Sequence, residues 1–282
     1  MREALVAQSR GECDTPMPMH LAVERSEVHI KSSWRHGGRY FAVKLATTFP
    51  DNAARGLPTG NGMMLLASAE TGEPVTLLAD AGHLTDVRTA AVAAMTTREL
   101  GRTDRVIGIL GTGIQARLQA KLHAEVLPLE RIWLWGRTPE RVDECRRELE
   151  SIAEVRVAST PAEVAERTRL IVTATASRAP LLSEVAVGTH VAAVGSDAAG
   201  KQELAPSILE EASLVLVDSR AQCEKLGELQ HATAKCAPVM EIGTYCESGV
   251  RPECFGVTVA DFTGLGVEDL YIAEYCYERI VG

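Results

Sequence analysis

The stretch 105-RVIGILGTGIQARLQ-119 decides the fold. Val106, Ile107, Ile109 and Leu110 form a short, mostly β-branched run, long enough for a fully buried strand. Gly111, Gly113 and Ala116 follow in the spacing Gly-x-Gly-x-x-Ala. In a dinucleotide-binding turn the first glycine turns the chain sharply, the second lets the backbone approach a pyrophosphate, and the small third residue keeps the next helix close to the sheet. The phosphate charge then sits on the free N–H groups of that helix. Here the triplet follows a strand and opens a helix carrying Leu118 and Leu122, and a second strand, Ile132 to Trp135, comes at the expected distance. Gly111, Thr112, Gly113, Ile114 and Gln115 are therefore expected to hold the cofactor.

On the C-terminal side of this stretch the chain alternates strand and helix. Strands over 106–110, 131–135, 155–158, 169–174, 190–194 and 213–217 are separated mostly by helical segments, which implies a parallel sheet wound on both sides. Thr138-Pro139 and Thr160-Pro161 read as helix starts. Before residue 100 the pattern is different. A short helical piece, EALVAQS, and a Gly- and Pro-bearing loop precede strand-like runs over Val28–Ser33, Arg39–Thr47, Met63–Ser68 and Pro74–Ala79, and His83–Leu100 has helical periodicity. VTVADFTGLG then leads to a last amphipathic helix, Val267–Ile280, expected to return to the first domain. The chain thus reads as an α/β protein, a Rossmann-type doubly wound sheet over 101–259 inserted in a β-rich α+β domain made of 1–100 and 260–282.

With 282 residues the chain is long enough for two domains. No stretch approaches a membrane span, and the charges at Arg2, Glu3, Arg10, Glu12 and Asp14 exclude a signal-peptide core, which points to the cytoplasm. The seven cysteines are scattered and never spaced Cys-x-x-Cys, so reduced thiols are expected rather than disulfides or a zinc site. The seven histidines show no ligand spacing, and no metal is expected. A net charge of −9 without a basic stripe argues against nucleic acid and anionic membranes as partners.

The second strand ends in LWGRTPER, where Gly136 takes the place of the acid that commonly binds both ribose hydroxyls of NAD. Arg137, Thr138 and Arg141 suit a 2′-phosphate better, which favours NADP(H) over NAD(H). The plainer alternative makes both arginines the exposed face of a helix start. Thr173, Thr175 and Ser177, with Val194 ending the next strand, are positioned for ribose or nicotinamide contacts.

Three residues break local rules. In LTDVRTAA, Thr85 looks like an N-cap, which makes Arg88 the third helical residue, where a cation opposes the macrodipole. An anion bound at that terminus resolves the conflict; a surface pair with Asp86 or Glu99 is the alternative. Lys44 in YFAVKLAT shares a strand face with Ala42 and Ala46, which leave room for a substrate, although a lysine also guards edge strands. Asp197, in VGSDAAGK, lies beyond the carboxyl end of a parallel strand, where it can hold or move a proton or simply form a turn before a helix near Gln202.

From about Thr15 onward the strings AVKLATTFPDN, GLPTGNG, LTDVRTAA, GILGTGIQA, TATASRAPLL, VGSDAAGKQEL and GLGVEDL, in this order, resemble the ornithine cyclodeaminase and mu-crystallin family. KLATTFPDN, GLPTGNGMM and VADFTGLGVED look more like its ectoine-utilisation and iminosuccinate-reductase branches. The resemblance implies a homodimer, a β-rich substrate and dimerisation domain closed by the last helix, substrate-carboxylate binding by Lys44 and Arg88, and a role for Asp197 at the amine or imine. A carboxylate-binding arginine common in the family's early proline-rich loop has no match in DTPMPMHL. The implied activity is NAD(P)H-dependent reduction of a small α-imino acid, reversibly an amino-acid dehydrogenase. A cyclodeaminase with tightly bound NAD and a non-catalytic NADPH-dependent binding protein are the alternatives.

Overall fold

The alternating run YFAVKLATT becomes the middle of an antiparallel sheet, because one of its faces is small or apolar and can be covered by a helix. In the computed structural model, which describes residues 1–249 and 256–281, helix α1 (Arg2–Ser9) precedes strands β1 (Cys13–Asp14), β2 (Met19–Val23), β3 (Ser26–Arg35), β4 (Tyr40–Thr48), β5 (Gly60–Ser68) and β6 (Pro74–Leu78). Their order is β1-β3-β4-β5-β6, with β2 also paired to β3. The sequence pattern predicts no strand at β1 or β2. Helix α2 (His83–Glu99) follows.

Strand β7 (Val106–Leu110) and helix α3 (Ile114–Ala124) come next, then β8 (Arg131–Trp135), α4 (Pro139–Leu149), β9 (Glu154–Val157), α5 (Pro161–Arg167) and β10 (Leu170–Thr173). The chain continues through β11 (Arg178–Leu182), β12 (His190–Ala193), β13 (Gln202–Leu204), α6 (Pro206–Glu211), β14 (Ala212–Val217), α7 (Arg220–Leu226), β15 (Val239–Glu241), α8 (Ile242–Ser248), β16 (Val257–Asp261) and α9 (Gly266–Val281). Eight of these strands form a parallel sheet in the order β15-β14-β16-β12-β10-β7-β8-β9, as the strand-helix alternation implies.

The chain divides into two compact units, Met1–Arg88 with Leu265–Gly282, and Thr89–Gly264. The division falls inside α2 rather than after it. In the first unit α9 lies on the sheet face that carries Ala42, Met64 and Leu66, and Leu270 and Ala273 complete that core. Gly266 has a steric reason: a Cβ there would strike the Ser32 carbonyl oxygen of β3, so only glycine lets α9 start this close to the sheet. In the second unit the strand order reverses between β7 and β10, which makes the carboxyl end of β7 a topological switch point, the usual ligand position of an open α/β sheet.

Three local readings are corrected. VTVAD is a buried strand, β16, between β14 and β12, not a lead-in to the last helix. The helix expected near Gln202 is instead β13, paired with β11, and the helix starts at Pro206. Thr138 stands at the N-cap of α4 without a side-chain cap bond, whereas Thr160 does accept from the Glu163 N–H, at 3.1 Å.

Candidate active site

Lys44 is not on an edge strand. It pairs with Lys31 of β3 on one side and Met64 of β5 on the other, so its side chain points into the face covered by α9, where it is 2% exposed. The room left by Ala42 and Ala46 is occupied by the start of α9: Lys44 Nζ donates to Asp269 Oδ1 at 3.0 Å and lies 2.8 Å from Oδ2. Arg88 is not the third residue of its helix. The helix begins at His83, and Asp80 caps it through a 2.5 Å bond from the Leu84 N–H to Oδ2, so Thr85 lies inside the first turn and Arg88 one turn further on. Nor is Arg88 a surface residue, since only 4% of it is exposed. Its Nε donates to Asp269 Oδ1 at 3.0 Å and its Nη1 to Glu268 Oε2 at 2.9 Å.

Two cations from β4 and α2 therefore converge on one carboxylate oxygen. Glu268 and Asp269, which the sequence reading did not single out, sit in the first turn of α9, where the helix dipole also favours negative charge. Lys44 is pulled down from the ordinary lysine value to about 7, by burial first and by the Arg88 guanidinium second, against the opposing pull of Asp269. Burial pushes Asp269 up, but Lys44 and Arg88 outweigh it and hold the carboxyl below its usual range.

The depressed lysine has two pH consequences of opposite sign. Between pH 7 and the unfolded lysine value of about 10.4 the unfolded chain keeps a proton that the folded chain has lost, so Lys44 contributes rising stability with rising pH across that window. If Lys44 holds a substrate carboxylate it must be charged to do so, and kcat/KM for an anionic substrate should then fall above about pH 7. Lys44→Arg is expected to remove that alkaline fall, and Lys44→Met to give a low, flat profile. A wild-type fall that persists unchanged in Lys44→Arg would assign it to another group.

In the second unit the turn after β7 fits a dinucleotide. Gly111 has φ +131°, and a Cβ on it would run into the Ala174 carbonyl, so the sharp turn and the close approach both require glycine. A Cβ on Gly113 would meet nothing within 4 Å, which leaves open space over the backbone where a pyrophosphate would approach. Gly113 is also the N-cap of α3, with no side-chain cap bond, and Ile114 is exposed. Ala116 is fully buried, as the third position demands. Arg117 braces the turn, its Nη1 donating to the Thr112 carbonyl at 2.5 Å and its Nε to Glu148 at 2.7 Å, while Gln115 accepts from Gln119.

Beyond β8, Gly136 is explained by packing as well as by the missing acid: a Cβ there would lie 2.5 Å from Thr112 Cγ2. Arg137, Thr138 and Arg141 are exposed, and neither arginine has an ion-pair partner among the described residues. Thr173 and Thr175 are organised by Glu203, which the sequence reading missed. Its carboxylate accepts from both hydroxyls at 2.7 Å, from the Thr175 N–H at 2.7 Å and from the Gly195 N–H at 2.9 Å, tying the ends of β10 and β12 together. The fully buried Thr173 hydroxyl is thereby turned to structure. Ser177 bonds the Ala179 carbonyl in a local turn, and Val194 is buried. Asp197 lies exposed in the loop after β12 with Lys201 Nζ 2.5 Å from Oδ1.

A parallel sheet with a glycine turn at its switch point, joined in one chain to a buried pair of cations from an antiparallel strand and a helix, defines a dinucleotide-type α/β protein with a candidate anion site. The chain belongs to the ornithine cyclodeaminase/mu-crystallin family, whose model matches residues 1–282. It is 37% identical over 268 residues to an uncharacterized cyclodeaminase of Sinorhizobium fredii, over 90% of this chain and 81% of the relative. It is 31% identical over 271 residues to a Δ1-pyrroline-2-carboxylate reductase of Bacillus cereus, over 92% of this chain and 83% of that one. A solved archaeal alanine dehydrogenase dimer with bound NAD superposes with a TM-score of 0.89 at 26% identity, over 98% of this chain and 88% of that chain.

Proposed function

We propose that this protein is a reductase of a small α-imino acid that uses NADH or NADPH and runs reversibly as an amino-acid dehydrogenase. The observation that carries this reading is the convergence of Lys44 and Arg88 on one carboxylate oxygen, in a chain that also carries an open glycine turn of the dinucleotide type. A pair of cations so arranged can grip a substrate carboxylate, and the kinship with a Δ1-pyrroline-2-carboxylate reductase supports a carboxylated C=N substrate. The bound nicotinamide would supply hydride to the C=N carbon. Lys44 and Arg88 would fix the carboxylate next to that carbon, and Asp197, steadied by Lys201, would supply or relay the proton that the nitrogen gains, making the carbon more electrophilic. One hydride and one proton convert the imine to the amine.

The test is the loss of reduced-nicotinamide absorbance when purified protein meets NADH or NADPH and a panel of cyclic and acyclic imino acids. Rapid loss with one of them is the expected result, and Asp197→Asn should depress that turnover far more than cofactor binding. Near wild-type rates in that variant would remove Asp197 from the mechanism. Ammonia release from a diamino acid without net cofactor consumption would show the cyclodeaminase instead, and tight NADPH binding without any turnover the binding protein. Arg137 and Arg141, exposed and without an ion-pair partner among the described residues, favour NADPH over NADH. Their double alanine variant should lose that preference and keep NADH binding.

We also propose a homodimer formed by the sheet face opposite α9. Met19, Ile30, Leu45 and Met63 form one row across it, and Val43, Leu65 and Leu77 continue a second. Met19 is 58% and Leu77 57% exposed, so this face is apolar and uncovered in the single chain. The dimeric state of the archaeal alanine dehydrogenase supports a dimer, and the apolar face is this chain's candidate for its contact. Leu45→Asp with Met63→Asp should yield monomers in size-exclusion chromatography with light scattering; an unchanged dimer would place the contact elsewhere.

A further inference from the structure

The β2–β3 hairpin brings together three side chains that take no part in the cation pair or the glycine turn. Its antiparallel register sets His20 opposite His29 and Ala22 opposite Glu27. Residues 27 and 29 of β3 alternate on the same face as Lys31, the cross-strand partner of Lys44, so the cluster points to the α9 side of the sheet and away from the apolar face. The two imidazoles lie 4.9 Å apart between ring centroids, and His29 Nε2 is 3.3 Å from Glu27 Oε2. One donor atom from each of the three falls within 4.8 Å of the others, and among the described residues no other group of three histidine, cysteine, aspartate or glutamate side chains is this close.

The chemistry of that set is specific. Two neutral imidazoles and one carboxylate are the borderline donors preferred by zinc and its neighbours, whereas calcium and magnesium take oxygen ligands. Donors bound at about 2.0–2.1 Å around a tetrahedral ion are roughly 3.4 Å from one another, so the donor atoms need to close by up to about 1.4 Å, which the exposed His20 side chain can supply by rotation. We propose that His20, Glu27 and His29 form a site for a divalent transition-metal ion of the zinc class, with a water completing the coordination. Every residue of β2 is exposed, and among the described residues β2 pairs with β3 alone. The ion would bridge His20 on β2 to Glu27 and His29 on β3, and so staple this edge strand to the sheet.

The test uses the full chain without an affinity tag, stripped with a chelator and dialysed. Titration with ZnCl2 by calorimetry should show one equivalent bound, and CoCl2 should give ligand-field bands without a thiolate charge-transfer band. His20→Ala and His29→Ala should each abolish the stoichiometric binding, and because His20 is exposed its removal does not threaten folding. Hydrogen exchange should slow across residues 19–30 on zinc addition in the wild type and not in His20→Ala. Stoichiometric binding that survives both variants, or a thiolate band, would make cysteines the ligands and overturn the proposal. Absence of binding in the wild type would leave the cluster as a hydrogen-bonded group only and overturn it equally.

Discussion

Arg88→Met is expected to destabilise the folded chain by about 3–5 kcal/mol, the usual cost of removing one partner from a buried ionic network, and to abolish saturation by the imino-acid substrate. Arg88 sits 4% exposed and serves both Glu268 and Asp269, so its loss removes the cation that bonds both buried carboxylates and leaves Lys44 bonded to Asp269. Arg88→Lys should recover little, because an ammonium cannot reproduce the forked donation from Nε and Nη1 to two acceptors. The bonds of this arginine to α9 and its proposed role in receiving a substrate carboxylate are separable. Adding Glu268→Gln to Arg88→Met removes one uncompensated charge and should restore part of the stability in urea unfolding. KM should stay high in that double variant. A double variant that regains both stability and KM would show that the cations serve the helix strap and not the substrate.

Gly113→Asp is expected to act in opposite directions on folding and on cofactor. Gly113 has φ −83° and ψ −171°, an extended conformation that aspartate adopts freely, and a Cβ there meets nothing within 4 Å. Aspartate is a strong N-cap and a negative charge at a helix N-terminus is favourable, so α3 should gain up to about 1 kcal/mol. The same carboxylate would lie where a pyrophosphate should approach the free N–H groups. Nicotinamide-cofactor binding should therefore fall by roughly a hundredfold or more, the effect of one displaced set of charge-assisted bonds of about 3 kcal/mol. Thermal melting and fluorescence titration with NADH measure the two effects separately. Cofactor binding equal to wild type in a stable Gly113→Asp protein would remove this turn from the cofactor site.

Local pattern was informative wherever the cause was local. The Gly-x-Gly-x-x-Ala turn was legible because its glycines answer a backbone requirement that any such turn has, and Gly111 does adopt the conformation that requires it. The parallel strands were legible because runs such as LIVT and HVAA are apolar on both faces, as strands covered on both sides must be. Short or polar strands were not. Met19–Val23 is exposed throughout and Gln202–Leu204 is three residues long, so neither carries a burial signal.

Sequence pattern alone marked Lys44 as a cation on an otherwise small or apolar strand face, a glycine turn of the dinucleotide type before α3, and a likeness to one family along most of the chain; it marked Arg88 for a helix position that the residue does not occupy. What those residues meet is fixed by packing between distant elements. Lys44 lies 225 residues from Asp269 in the chain, and Arg88 lies 181 from it, so no periodicity or spacing could pair them. Likewise Glu203 claims the Thr173 and Thr175 hydroxyls across 30 and 28 residues. His20 and His29 become neighbours only through hairpin register. The physical reason is common to all four: a side-chain pattern records which face of an element avoids water, whereas the partner on that face is set by how distant elements pack.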